Sequence, residues 1–267
     1  MLDYHIHSHF SADCEAPMEA VIQAAIEKGL TEICFTEHID YEYPDPSIVF
    51  EFDLKHYDQT IRHFQNMYDG RIKVKKGIEI GVQPHLLERY ETLMEEEVFD
   101  FVICSMHTVA RQDLHSKAFF KGKTIEEAHE VYYEELLDCV RRFKGFNVLG
   151  HVDLIKRYSE RPSEKSFQPV IRDIFKEIIA DGKGIELNTS GTRYGLNSGM
   201  PSCDILQLYK DSGGEIITLG SDAHTEKNLG YDFQNALILL RDIGFRFVAS
   251  FDGGEPEFHT IEKLIQR

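Results

Sequence analysis

Short β-branched or aromatic runs alternate along the chain with longer segments of helical periodicity, the pattern of repeated βα units and a parallel sheet. The runs predict strands over Leu2–His7, Glu32–Thr36, Ile72–Ile80, Phe99–Met106, Asn147–Leu149, Gly184–Leu187 and Glu215–Leu219, with an extra one at Arg246–Ala249. Several have no polar face, as expected of strands covered on both sides. Met18, Val21, Ile22, Ala25 and Ile26 follow the spacing of an amphipathic helix, and Gly29 ends it. Over Ile125–Phe143 the stripe is Ala128, Tyr132, Leu136, Cys139 and Phe143, with Thr124 and Glu127 as a capping box at its start. Further helices are predicted at Leu54–Tyr68, Pro84–Glu96, Val170–Asp181, Ser202–Ser212 and Asp232–Ile243. No linker, repeat or low-complexity tract divides the chain, so residues 1–267 are expected to form a single α/β domain of about seven βα units. Two long loops interrupt the pattern, Asp40–Asp53 and Lys156–Gln168, and loops of that length are more often functional than not.

Nearly every predicted strand ends in a side chain able to bind a metal. The first carries His5 and His7, followed by Asp13; the second runs into Thr36-Glu37-His38; the third ends at Glu79. His107 follows the fourth, His151 the fifth, and Asp222 and His224 the seventh. Residues at the carboxyl ends of parallel strands converge on one mouth. Side chains at i and i+2 share a strand face, so His5 and His7 can reach one ion. A lone His-X-His in a strand is more often incidental, and His38, His107 or His151 taken singly would read as satisfied rim residues. Gathered together, these imidazoles and carboxylates would be costly to bury without compensating charge. More ligands are present than one ion needs, which points to two or three ions, with zinc, iron or manganese suited to a mixed nitrogen and oxygen set.

Composition narrows the partners. The formal net charge is −17, from 46 acidic and 29 basic residues, which disfavours a broad electrostatic grip on nucleic acid. A small phosphate remains compatible if cations gather locally at the site. No apolar run is long enough for a bilayer, and the chain starts directly in an alternating apolar stretch rather than a leader, so neither a membrane association nor a signal peptide is expected. Five scattered cysteines, Cys14, Cys34, Cys104, Cys139 and Cys203, suit reduced thiols in a cytoplasm, most of them buried. Oligomeric state is not legible.

Asp3-Tyr4-His5-Ile6-His7-Ser8, Thr36-Glu37-His38, Gly77-Ile78-Glu79, Cys104-Ser105-Met106-His107, Gly150-His151 and Gly220-Ser221-Asp222-Ala223-His224 resemble, in order, the motifs of the PHP (polymerase and histidinol phosphatase) superfamily. Within it, the chain length, the His-Ser-His-Phe-Ser-Ala-Asp start and the Phe-Thr-Glu-His-Ile-Asp segment are most similar to the histidinol-phosphate phosphatases of histidine biosynthesis. The resemblance implies a distorted (β/α)7 TIM-like barrel with a trinuclear centre of zinc, iron or manganese. It would place His5, His7, Glu79 and Asp222 on the first ion. Glu79 would bridge to a second ion held by His107 and His151, and Asp13, His38 and His224 would hold the third. Some relatives have histidine where Asp13 stands and commonly aspartate where Glu37 stands, which leaves the metals' identity open.

The expected reaction is hydrolysis of a phosphate monoester, most readily L-histidinol phosphate, by a hydroxide shared between ions, with Asp222 both ligand and proton acceptor. Arg157 and Arg193 lie in loops predicted to overhang the mouth, where guanidinium groups suit phosphate; similar arginines in histidinol phosphatases favour that reading over ordinary surface arginines. Asn188 and Tyr194 would add polar contacts. Tyr41, Tyr43, Phe50 and Phe52, with Asp40 and Glu42, are placed as a lid or wall for an aromatic cationic alcohol, or as mere packing on the barrel. His9 is read as a support behind the ligands, and His56, His63, His85, His115, His129 and His259 as surface or helix residues without chemistry. The rival readings are a phosphodiesterase or exonuclease on nucleotides, an amidohydrolase (against which Glu79 stands in place of a carboxylated lysine), and a metal-storing domain without turnover.

Overall fold

Strand β1 (Leu2–Ile6) leads into helix α1 (Met18–Glu27), then β2 (Glu32–Ile39), α2 (Leu54–Met67), β3 (Lys73–Gly81), α3 (Leu87–Glu96) and β4 (Phe101–Ser105) in a computed structural model that describes residues 1–266. Arg267, the last residue of the expected domain, lies outside the described residues. A small hairpin, β5 (Thr108–Val109) and β6 (Gln112–Asp113), precedes α4 (Ile125–Arg142) and β7 (Val148–Leu149). The chain continues through α5 (Ile155–Tyr158), α6 (Gln168–Ala180), β8 (Gly184–Asn188), α7 (Cys203–Asp211), β9 (Ile217–Gly220) and α8 (Phe233–Ile243). It closes with β10 (Phe247–Asp252), β11 (Glu255–Thr260) and α9 (Ile261–Ile265).

The main sheet is parallel, seven strands in the order β1-β2-β3-β4-β7-β8-β9. Its two edges nearly close on each other: Ile6 bridges Ala223, the His7 amide donates to the Ala223 carbonyl at 3.0 Å, and the Asp222 amide donates to the His5 carbonyl at 2.8 Å. The result is the distorted seven-stranded barrel expected from the sequence, with its carboxyl ends drawn to one mouth. α1 covers β1 and β2 with Met18, Val21, Ile22 and Ala25 buried, and a positive-φ Gly29 lets the chain turn back. α4 begins with both halves of the Thr124–Glu127 capping box.

Apolar side chains form two clusters, a smaller one under α1 and α2 around Ile6, Ile33, Phe35 and Tyr57 and a larger one holding Tyr4, Phe101 and Phe251. Fully burying each such large side chain contributes roughly 1.5–3 kcal/mol. Tyr4 and Ile6 belong to different clusters, and the pairing of β1 with β2 shifts register between Asp3 and Ile6. Irregularities of this kind re-aim side chains beside functional sites, and here one lies beside His5.

Three sequence expectations change. β2 runs on to Ile39 rather than stopping at Thr36, because Glu37 and His38 pair with Ile78 and Glu79 in register. The extra strand at Arg246–Ala249 is real as β10 but stands outside the barrel, paired antiparallel with β11; Phe251 stacks on Phe101 at 4.9 Å and the hairpin stops the amino end. The loop expected from Lys156 begins inside a helical turn, α5, which carries Arg157. No helix among the described residues is long and apolar enough to cross a membrane.

Candidate metal centre

Glu79, buried near the end of β3, is the hub. Its Oε2 lies 3.0 Å from His5 Nε2, 3.6 Å from His7 Nε2 and 3.2 Å from His38 Nδ1; its Oε1 lies 3.3 Å from His107 Nε2 and 3.0 Å from His151 Nε2. Asp222 Oδ1 faces His5, His7 and His224 at 3.7, 3.5 and 3.6 Å. Asp13, the most exposed of the set, reaches His224 at 3.2 Å and His38 at 3.7 Å. All nine residues singled out from the strand ends therefore meet at one mouth.

Among the described residues, ligand-competent atoms within 4.8 Å of one another form three groups: His5, His7 and Asp222; His38, Glu79 and His107; and His7, His38 and His224. The grouping differs in detail from the partition implied by the resemblance. His7 stacks between His38 (centroids 4.3 Å apart) and His224 (4.2 Å), so it touches two groups. His38 sits as near to Glu79 as His107 does.

Electrostatics explain why this cluster calls for cations. Burial opposes charge on Glu79 and Asp222, yet Glu79 is held well below the usual carboxylate range by His5, His38 and His107, and Asp222 by His5, His7 and His224. Burial likewise opposes charge on His5, which Glu186, Glu79 and Asp222 overcome, pushing it well above its ordinary value. His224 is raised to about 9 against burial by Asp13 and Asp222, whereas His7 is lowered to about 3 by burial and the neighbouring His224 and His38. His7 Nε2, His38 Nδ1 and His151 Nδ1 are buried without a hydrogen-bond partner. The bare His7 Nε2 and His38 Nδ1, which face the Glu79 carboxylate, are what a divalent cation satisfies, so the donor set fits metal ions.

Supporting contacts were less legible in the sequence. Glu186 on β8, fully buried, takes the His5 Nδ1–H at 2.6 Å and the His151 backbone N–H at 2.9 Å. Asp40 takes the His107 Nδ1–H at 2.7 Å. Glu37 accepts from Ser8 and Ser11, and the Ser11 hydroxyl in turn lies 3.2 Å from His7 Nδ1. Ser105 donates to Glu79 at 2.6 Å. The one signal for Glu186 was a carboxylate in an otherwise apolar strand, a residue that must be partnered.

A cleft of about 350 Å³ opens over the centre, lined beyond the ligands by Asp40, Tyr43, Phe50, His115, Arg157 and Tyr194. Arg157 stacks on the exposed Tyr194 ring, 3.1 Å from its centroid. Arg193 does not line this cleft; its guanidinium donates to the Ser221 carbonyl at 2.8 Å and the Asp222 carbonyl at 2.9 Å. Asp222 has φ +53°, a conformation non-glycine residues rarely adopt, and Arg193 helps hold it there. Asn188 is fully buried, its amide 3.3 Å from Glu186 and its carbonyl oxygen accepting the Ser190 N–H, so it lies behind the site rather than at the substrate. Tyr43 and Phe50 form the wall expected of the Asp40–Asp53 loop, while Tyr41 is buried under Arg89. His9 is exposed and packs on Phe10, with no bond to a ligand. His115 lines the cleft instead of standing idle on the surface, and His129 is buried on α4 against Ser159. All five cysteines are free, Cys203 exposed and the others buried.

A model of the PHP domain matches residues 3–190. The chain belongs to the PHP domain family. It is 34% identical over 258 residues to a histidinol-phosphatase of Lactococcus lactis, covering 94% of both chains. A Lactococcus lactis histidinol phosphate phosphatase solved with zinc, L-histidinol and phosphate superposes with a TM-score of 0.86 at 32% identity, covering 96% of this chain and 98% of that one. A chain from Listeria monocytogenes, 18% identical, shares the fold at a TM-score of 0.78, covering 88% of this chain and 99% of that one. Asp222 and His224 lie beyond the matched PHP segment, yet the near-closure of β1 on β9 carries them to the same mouth.

Proposed function

We propose that this protein is a metal-dependent phosphomonoesterase that hydrolyses L-histidinol phosphate to L-histidinol and phosphate. The observation carrying the reading is the convergence of His5, His7, Asp13, His38, Glu79, His107, His151, Asp222 and His224 beneath a cleft with Arg157 on its wall. Likeness along nearly the full length to a histidinol-phosphatase supports the substrate. These nine residues would hold zinc, iron or manganese ions, three of them on the family pattern. Bound there, such ions supply Lewis acidity toward a phosphoryl oxygen and a water of lowered pKa.

The chain's own groups do the rest. Arg157, kept in place by Tyr194, offers paired N–H donors to the phosphate. Arg193 acts through Asp222, holding its backbone so that the carboxylate faces His5 and His7. Asp222, kept ionised by those histidines, is placed to accept a proton. Tyr43, Phe50 and His115 wall the cleft with rings, a surface suited to an imidazole-bearing alcohol. We take residues 1–267 as one domain working in the cytoplasm, without a nucleic-acid partner, in keeping with the charge of −17.

The test is a panel of phosphate esters presented to metal-loaded protein. L-histidinol phosphate is expected to exceed other monoesters and a diester by at least about a hundredfold in kcat/KM, a transition-state difference of roughly 2.7 kcal/mol. Equal, slow rates on all esters, or preference for the diester, would refute the assignment.

A further inference from the structure

Glu186 is a carboxylate without exposed surface in the middle of an apolar strand, and no lysine or arginine among the described residues pairs with it. Its two oxygens are divided between two different strand ends. Oε1 takes the His5 Nδ1–H at 2.6 Å and Oε2 takes the His151 backbone N–H at 2.9 Å, with the Asn188 amide near both at 3.4 and 3.3 Å. The surrounding motifs leave room for it: a Cβ on Gly220 would lie 2.0 Å from Glu186 Oε1 and 2.5 Å from the His5 Cβ. The glycine of the Gly220-Ser221-Asp222 segment thus lets a carboxylate approach His5 from behind.

We infer that Glu186 is a positioning residue for the metal centre, fixing His5 as the Nδ1–H tautomer with its Nε2 lone pair turned to the site and tying His151 to the same anchor. This rests on the assignment of His5 and His151 as metal ligands. With Nδ1 committed to Glu186, Nε2 is the ring nitrogen left facing Glu79 and Asp222, and so the one placed to give its lone pair to an ion. A glutamine at this position offers one acceptor where the carboxylate offers two. It can serve His5 or the His151 N–H, but its NH2 then confronts the other donor.

Zinc affinity, measured by competition with a chromophoric chelator, tests this on the parent, Glu186→Gln and a control at the far end of the barrel, Phe101→Leu. Glu186→Gln is expected to weaken zinc binding tenfold to a hundredfold, the usual effect of losing such a partner, while Phe101→Leu leaves affinity unchanged. A 1H–15N spectrum of the zinc-loaded parent should show His5 protonated at Nδ1, and this decides the matter even where the variant does not fold. Zinc affinity of Glu186→Gln within twofold of the parent, or a His5 protonated at Nε2 in the loaded parent, overturns the inference. A parent that binds none of zinc, iron and manganese overturns the metal assignment and this inference with it, whereas a parent that binds zinc and a variant that binds equally well sink only the latter.

Discussion

The two ends of the barrel use the same strands for opposite chemistry. At the amino end Tyr4, Phe101 and Phe251 pack ring against ring under the β10–β11 hairpin, and the Tyr4 hydroxyl donates to Glu32 and takes the Phe251 amide. Every polar atom named there is answered by another protein atom. At the mouth, imidazoles and carboxylates crowd together with His7 and His38 each left with a bare ring nitrogen beside Glu79. One end is complete as protein; the other is complete only with added cations. Stability and activity should therefore separate between them.

The largest effect belongs to the hub. Glu79→Gln removes the charge that five histidines share, and is expected to lower kcat on the order of a thousandfold or more, with loss of bound metal by elemental analysis. A variant retaining both would erase the contrast between the two ends. Next comes the floor, where Phe101→Ala should cost about 3–5 kcal/mol of unfolding free energy. Its kcat per folded molecule, counted by active metal content, should stay within about twofold of the parent, because no floor residue touches the mouth.

A histidine away from both ends sharpens the comparison. His129, buried against Ser159, has its pKa lowered to about 4 by burial and Lys156, whereas His224 at the mouth is raised by carboxylates. The unfolded chain takes up the His129 proton first, near pH 6.5, so the contribution is complete above that pH and is lost as the pH falls toward 4. Between pH 8 and pH 5 this amounts to about 2 kcal/mol. Urea unfolding of the parent and of His129→Gln at both pH values isolates it; equal pH slopes in the two proteins would remove the claim. The smallest effect is expected of Arg157→Ala, which should raise KM about tenfold, or about 1.4 kcal/mol, with metal content intact. Arg193→Ala, by contrast, should lower kcat through Asp222.

The centre was more legible in the sequence than its supports. His5, His7, Glu79, His107 and His151 stand at ends of strands whose apolar runs mark them, so parallel topology alone brings them together. Glu186, Asp40 and Ser105 act across strands at distances set by register, and register between neighbouring parallel strands leaves no local trace. The same blindness covers Asn188, which ends β8 with its side chain turned back to Glu186, and Arg193, whose guanidinium turns to the Asp222 carbonyl, a residue whose positive φ no local pattern announced. The β10 segment was seen as a strand, yet its place outside the barrel follows from the turn at Gly253 and Gly254, which pairs it with β11 instead.

The central claim, that the mouth works only with its cations, is tested most directly by phosphate release from L-histidinol phosphate as chelator-stripped protein is titrated with zinc, iron or manganese. Activity should be absent from the stripped protein, by at least about a thousandfold, and should return with the first few equivalents of one of these metals. A stripped protein, metal-free by elemental analysis, that still hydrolyses the ester at the full rate would contradict it.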